Sequence, residues 1–155
     1  MKSKQKLSEV IQVNPRRQLK KDDFAPFVAM ENITPYEKRI SEFSQRKVSG
    51  SNTKFKNGDT LLAKITPSLE NGKTAFVDIL KENEIGHGST EYIVLCGKEN
   101  QTLDHFVYYL IHTENVHFNL YMYKLTTETE YKNVHVQKIL YILLYILLNS
   151  FDSYI

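Results

Sequence analysis

Residues 55–73, FKNGDTLLAKITPSLENGK, carry the clearest strand and turn signals in the chain. Asn57-Gly58-Asp59 predicts a turn that leads into a strand at residues 60–66, and a second strand is predicted at residues 73–80. Asn71-Gly72 tolerates positive φ at both central positions of a type I′ turn. We therefore expect the two strands to pair across these residues or across a slightly longer loop, with an exposed hairpin tip.

The flanking sequence predicts further strands and one helix. Residues 27–33 (FVAMENI) and 90–95 have strand composition, whereas the polar, Ser/Lys-rich residues 41–54 are predicted as a loop. Residues 102–113 have one apolar stripe at helical spacing, formed by Leu103, Phe106, Val107, Leu110 and Ile111. The predicted fold class is mixed α/β (α+β), a single domain with a twisted, largely antiparallel sheet, its central strands in a meander, and packed helices.

Length and composition fit one globular domain. The chain has 155 residues, of which 41% are hydrophobic and 25% charged, and its net charge is +2. So small a net charge does not by itself indicate a nucleic-acid-binding protein. Its distribution is uneven, since residues 1–60 contain 13 basic and seven acidic side chains, and residues 61–155 contain seven and 11. Attraction for polyanions is therefore expected in the N-terminal part.

The sequence predicts neither a signal peptide nor a membrane-spanning helix. Cys96 is the single cysteine, which excludes an intrachain disulfide and fits a reducing compartment. The first residues lack an apolar block of signal-peptide length. The longest apolar run, residues 139–148, has ten residues, whereas a membrane helix needs about 20. We expect a soluble, cytoplasmic protein.

The composition changes after residue 112. All six Gly, all four Pro, all four Ala and all four Arg lie before residue 98. We therefore divide the chain into a domain at residues 1–112 and an atypical, apolar, helical tail at residues 113–155. One interpretation is a helical appendage with a buried face. Another is a shifted reading frame in an AT-rich gene, which sequencing of the encoding DNA would test.

Three segments together resemble a known family. Residues 27–33, 55–73 and 86–95 (GHGSTEYIVL) are similar, in order and approximate separation, to the target recognition domain of the specificity subunit of type I restriction–modification enzymes. The resemblance extends over about residues 7–112 and implies a subunit that reads one half of a split DNA sequence. It implies no catalysis and no cofactor site, because S-adenosylmethionine and the flipped adenine belong to the methyltransferase partners.

Catalytic motifs are poorly represented in the sequence itself. Adenine methyltransferases carry an Asn/Asp-Pro-Pro-aromatic tetrapeptide, and Asn14-Pro15-Arg16-Arg17 keeps two of its four positions and no aromatic residue. Neither a glycine-rich cofactor loop after a strand nor an ATP-binding P-loop motif is present. His87 has no second His, Cys or carboxylate at ligand spacing, so no metal site is predicted. We expect a non-enzymatic protein.

The candidate DNA-binding residues form three groups, each of which also has a structural interpretation. The hairpin tip offers cations for phosphates and short polar groups for base edges. A turn alone would also explain its Pro, Asn and Gly. Glu70 could either orient Lys73 or accept a hydrogen bond from a cytosine amino group. A loop predicted at residues 86–91, which opens the third segment, could hold a phosphate, or its hydroxyls could tie down the loop. The basic pair near the N-terminus could contact phosphates or be solvated. The predicted residues are Lys64, Thr66, Ser68, Asn71 and Lys73; Ser89 and Thr90; Arg16 and Arg17.

Three functions stay open at this point. The first is a specificity subunit or fragment that binds double-stranded DNA and directs methyltransferase and restriction subunits. The second is a truncated remnant that keeps the fold and self-associates. The third is the recognition part of a single-chain restriction–methylation enzyme. The signatures that close the domain and begin the family's spacer helix are missing after residue 112, which affects the expected docking of partner subunits.

Overall fold

The computed structural model describes residues 10–65 and 67–112, which form two four-stranded sheets and one α-helix. The predicted mixed α/β, largely antiparallel fold is confirmed, with its strands divided between two sheets. The first sheet has the order β1-β8-β5-β6 and the second the order β3-β2-β7-β4, in which only the β2·β7 pair is parallel. The elements are β1 Ile11–Val13, β2 Phe24–Val28, β3 Ser44–Lys47, β4 Thr53–Lys56, β5 Thr60–Ala63, β6 Thr74–Phe76, β7 Ile85–Gly88, β8 Tyr92–Gly97 and α1 Asp104–Ile111.

The predicted pairing of the central hairpin is found in the structure. Strands β5 and β6 are antiparallel, with Thr60 opposite Phe76 and Leu62 opposite Thr74. The connection is longer than a two-residue turn, because Lys73 N–H donates to the carbonyl of Ser68 at 3.0 Å. Gly72 has a φ of +66°, and a Cβ there would lie 2.8 Å from the Tyr36 ring. Both the backbone conformation and the nearby Tyr36 ring therefore favour glycine at this position.

The loop predicted at residues 86–91 is wrong for residues 86–88, which belong to strand β7. Gly86 and Gly88 lie within the strand and face Phe55, which is fully buried. A Cβ at Gly86 would lie 2.6 Å from the Phe55 ring, and one at Gly88 would lie 2.6 Å from the carbonyl oxygen of Val28. The two glycines thus make room for a large core side chain instead of forming a flexible phosphate-binding loop.

The core has two parts, on opposite faces of the first sheet. Leu61 and Val94 pack between the sheets, whereas Leu62 and Leu95 pack under α1 beside Ile111. Successive side chains of a strand point to opposite faces, so β5 and β8 are buried on both. This explains why their sequences are continuous apolar runs, and each buried leucine stabilises the fold by about 2 kcal/mol.

Several predicted boundaries and faces differ from the structure. The strand predicted at 27–33 ends at Val28 and is followed by a short 3-10 helix, Met30–Asn32, because Asn32 Oδ1 accepts the Ala29 N–H at 2.9 Å. The loop predicted at 41–54 contains β3, whose four side chains are all exposed and give no apolar alternation. The predicted meander is wrong, since β8 pairs with β5 and not with β6, the strand that precedes it in the meander.

Helix α1 lies within its predicted range, but its buried face overlaps the predicted stripe only in part. Val107, Tyr108 and Ile111 are buried, whereas Leu103 is 80% exposed and Phe106 is 54% exposed. The predicted stripe therefore placed two exposed residues in the core. The predictions for residues 113–155 fall outside the described residues. None of the helices that the structure describes is long and apolar enough to cross a membrane.

Candidate nucleic-acid interface

Several chain segments converge at one end of the two sheets. Strands β5 and β8 are antiparallel with Ala63 opposite Tyr92, so the residue after β5 lies beside the residues before β8. Strands β4 and β7 are antiparallel with Thr53 opposite Gly88, which brings the start of β4 to the same end. The chain that leaves β1 continues along β8, where Asn14 N–H donates to the carbonyl of Val94 at 2.7 Å. A rigid scaffold thus presents four loops together.

A pocket of about 310 Å³ lies between these segments. Its lining includes the cations Arg17, Lys54 and Lys64 and no carboxylate. The structure therefore brings together Arg17, Lys64 and Thr90, three of the predicted DNA-binding residues. The full lining is Asn14, Pro15, Arg17, Ser51, Asn52, Thr53, Lys54, Lys64, Thr90, Tyr92 and Val94.

Arg17 is held by a buried carboxylate. Its Nε donates to Asp59 Oδ2 at 3.0 Å and its Nη2 donates to Asp59 Oδ1, so the pair is bidentate. The two side chains are 11% and 1% exposed, respectively. Burial raises the pKa of Asp59, while hydrogen bonds from Arg17 and from the Lys56 N–H, at 2.8 Å, oppose that rise. The guanidinium is thus fixed in one orientation, unlike that of its exposed neighbour Arg16.

Lys64 is anchored at the rim by the loop before β8. Its Nζ donates to the carbonyl of Thr90 at 2.8 Å and lies 3.7 Å from Glu91 Oε2. Both charged side chains are about one third exposed, at 34% and 35%, so this ion pair adds little stability. Ser89 Oγ accepts the N–H of Glu91 at 3.1 Å, as the loop-tying interpretation of Ser89 requires.

The other residues of the hairpin tip do not line the pocket. Lys73 Nζ donates to the carbonyl of Met30 at 2.8 Å and so ties the hairpin to the 3-10 helix. Asn71 is exposed and Ser68 is half-buried on the turn between β5 and β6. Thr66 lies outside the described residues. The ammonium groups of Lys73 and Lys64 thus bind different parts of the fold, although both residues belong to the same hairpin.

Sequence reasoning missed the two asparagines of the pocket. Asn14 has a φ of +47°, and its Oδ1 accepts the N–H of Val94 at 2.9 Å. Asn52 donates to the carbonyl of Gly88 at 3.1 Å and accepts from Ser49. Asn before Pro and the Ser/Gly/Asn-rich run at 49–52 are turn signals that could have marked both loops. That these two loops meet at one pocket depends on strand register, which the sequence did not predict.

The outer face of the second sheet extends the positive surface. Lys54 pairs with His87 and His87 with Phe27 across the strands, so these three residues share one face. The Arg46 guanidinium lies 4.3 Å from the centroid of the Phe27 ring. His87 is fully buried, with its Nε2 3.1 Å from the carbonyl oxygen of Arg46. Within the described residues, no group of three or more His, Cys, Asp or Glu could hold a metal ion.

Comparisons with known proteins support the predicted resemblance. No family model matches the chain. The specificity subunit of the type I restriction enzyme EcoAI from Escherichia coli is 37% identical over 89 residues, which are 55% of this chain and 15% of that protein. A chain solved in work on complex assembly and conformational transition of the type I R-M system superimposes with a TM-score of 0.66. That superposition covers 86% of this chain and 35% of the other, at 16% identity, and so shows a shared fold.

The similarity covers a small part of each larger protein. This chain spans about one seventh of the length of the curated relative that it matches. The resemblance to type I specificity subunits predicted from residues 27–33, 55–73 and 86–95 is confirmed by these two findings.

Proposed function

We propose that the chain is a non-catalytic DNA-binding domain of the type I specificity-subunit kind. It binds double-stranded DNA at one half of a bipartite target and directs methyltransferase and restriction subunits to that site in the cytoplasm. The observation that carries this proposal is the basic pocket formed by Arg17, Lys54 and Lys64, at the end of a domain with this fold.

The chemistry of the pocket suits nucleic acid. Its cations can contact phosphates, which position a protein on a duplex, while the amides of Asn14 and Asn52 and the hydroxyl of Thr90 offer both donors and acceptors. Exposed Arg16, in the segment that follows β1, extends the positive surface beside the pocket. Rigid strands hold these groups on loops, an arrangement that favours contact with a fixed surface such as that of a DNA duplex.

Sequence preference requires more than phosphate contacts. Exposed Asn71 and half-buried Ser68, on the turn between β5 and β6, are proposed to approach base edges, as are Ser89 and Thr90 before β8. Lys73 is proposed to stabilise the fold and not to contact DNA, because its ammonium group donates to the carbonyl of Met30. This division assigns Arg17 and Lys64 to phosphates and the short polar side chains to specificity.

Association with methyltransferase and restriction subunits is the part of the proposal furthest from the described residues. In the family, long helices of the specificity subunit dock these partners, and their sequence signature is missing after residue 112. Partner binding is therefore proposed to need a second chain or a longer protein, and DNA binding is proposed to need neither.

Electrophoretic mobility shift on random-sequence duplex DNA tests the DNA-binding claim. At micromolar protein we expect a complex whose affinity falls as salt rises, because cations on the protein displace counterions from the duplex. The control variant is Lys81→Met, which removes one exposed cation from the turn before β7, at the end of the second sheet opposite Gly88. No salt-sensitive binding would reject the proposed function. Selection from a random library then identifies the target half-site.

A further inference from the structure

We propose that the pocket is a clamp for one backbone phosphate of the duplex, and that buried Asp59 is its positioning residue. This inference rests on the proposed function and assigns a specific ligand group to the site. The clamp consists of Lys54 and Lys64 at the rim and of Arg17, which Asp59 holds in place.

The lining argues for an anion. Three cations contribute to it and no carboxylate does. Asp59 compensates the charge of Arg17, and the partly exposed Glu91 pairs with Lys64. Lys54 and, in part, Lys64 therefore supply the positive charge for a ligand, whereas Arg17 supplies directed hydrogen-bond donors. The ammonium groups of the two lysines already donate to main-chain carbonyls. Lys54 donates to the carbonyl of Asn52 at 3.4 Å, and Lys64 donates to that of Thr90 at 2.8 Å. Each ammonium group keeps two further N–H donors for a ligand.

Shape distinguishes a phosphate from a base edge. The bases of a duplex lie at the bottom of its grooves, so protruding loops read them, whereas phosphates project from the duplex surface. A concave site between loops fits a projecting group. The side-chain amides of Asn14 and Asn52 in the lining can donate to phosphate oxygens.

Asp59 gives the clamp its fixed geometry. Arginine has five N–H groups in a rigid fork, and Asp59 takes one from Nε and one from Nη2. Among the described residues, the three remaining N–H groups of Arg17 have no other hydrogen-bond partner, and Arg17 lines the pocket. A guanidinium that is already oriented loses less side-chain entropy when it binds an anion. Asp59 therefore acts through Arg17 without touching the ligand.

The test measures the salt dependence of duplex affinity for wild type, Asp59→Asn, Arg17→Met/Asp59→Asn, Lys54→Met, Lys64→Met and Lys54→Met/Lys64→Met. Each phosphate contact contributes about −0.9 to the slope of log affinity against log salt. If both lysines share one phosphate, their double variant flattens the slope by about 0.9, not by about 1.8. The two Asp59 variants should weaken binding about tenfold, as expected for loss of a charge-assisted contact.

The matched control, Lys81→Met, should leave the slope unchanged. Thermal melts identify any variant that does not fold, and the lysine variants, whose side chains are partly exposed, test the clamp if Asp59→Asn unfolds. If wild type binds duplex while the clamp variants have the same salt dependence and affinity as Lys81→Met, the clamp inference is wrong and the proposed function is unaffected. If wild type does not bind duplex, the proposed function itself fails.

A second readout separates a backbone phosphate from free phosphate. The Nε–H NMR signal of Arg17 is followed during titration with duplex DNA and, at constant ionic strength, with inorganic phosphate. We expect it to shift with duplex at micromolar concentration and with inorganic phosphate only far above that. A response to inorganic phosphate but not to duplex would assign the pocket to a free anion and overturn the inference.

Discussion

Tyr92 Oη donates a hydrogen bond to the carbonyl oxygen of Ala29 at 2.8 Å, across 63 positions of sequence and inside the core between the two sheets. Tyr92 begins β8 of the first sheet, and Ala29 directly follows β2 of the second. This bond therefore couples the sheets at the end where the candidate interface lies. Tyr92 also lines the pocket.

Replacing Tyr92 with Phe should destabilise the fold without removing much packing area. The buried carbonyl of Ala29 would lose this hydrogen bond, and we expect the free energy of unfolding to fall by about 2 kcal/mol. Urea denaturation followed by circular dichroism measures the change. Tyr36→Phe is the matched control, because Tyr36 is 69% exposed and the same oxygen is removed there. Equal effects at both positions would contradict the coupling role.

The same tyrosine predicts a loss of stability at alkaline pH. Burial, with a smaller contribution from the charge of Glu31, raises the pKa of Tyr92 above its ordinary value. Its contribution is complete below the unfolded pKa of about 10 and is lost as pH rises towards the folded pKa, because the unfolded state ionises first. The stability difference between wild type and Tyr92→Phe should shrink by about 1 kcal/mol from about pH 8 to about pH 10.5. A pH-independent difference would contradict the shift.

Gly88→Ala should be strongly destabilising, whereas Gly50→Ala should be nearly neutral. A Cβ at residue 88 would lie 2.6 Å from the carbonyl oxygen of Val28 and 2.9 Å from the Tyr92 ring, whereas one at residue 50 would meet nothing within 4 Å. We expect a loss of about 2 kcal/mol for Gly88→Ala from overpacking. Chemical denaturation of the two variants measures this. If Gly88→Ala were as stable as Gly50→Ala, the packing explanation of β7 would be wrong.

Lys64 and Lys73 should have different mutant phenotypes despite their common hairpin. Lys73→Met removes the hydrogen bond to Met30 and should lower stability by about 1 kcal/mol with little change in DNA affinity. Lys64→Met should weaken DNA binding several-fold, with little effect on stability, because its ion pair with Glu91 is partly exposed. Fluorescence anisotropy and urea denaturation of both variants separate the effects. Reversed phenotypes would place the interface at the hairpin tip.

Local sequence signals predicted the parts of the fold that depend on neighbouring residues. The β5·β6 hairpin and α1 were predicted from turn residues and helical spacing. Strands β3 and β7 were not predicted, because β3 has four exposed polar side chains and β7 has two glycines, which leave space for Phe55. The helix face was misjudged because Leu103 and Phe106 continue an apolar stripe that the sheet does not cover.

The candidate site was predictable only in part, because its members meet through strand register. Arg17, Lys64 and Thr90 were predicted from basic and hydroxyl residues in separate loops, and the structure places all three at one pocket. Asn14 and Lys54 join them only because β1, β4 and β8 end or begin nearby. Likewise, the sequence contains no signal that would pair Arg17 with Asp59, 42 positions later.

The most direct test of the DNA-facing surface is an amide NMR titration of the protein with duplex DNA. We expect amide signals from residues 14, 16, 17, 51–54, 64 and 90 to shift together, while those of residues 81–84, at the opposite end of the second sheet, stay in place. Shifts confined to residues 81–84, or to the exposed face of α1, would contradict it.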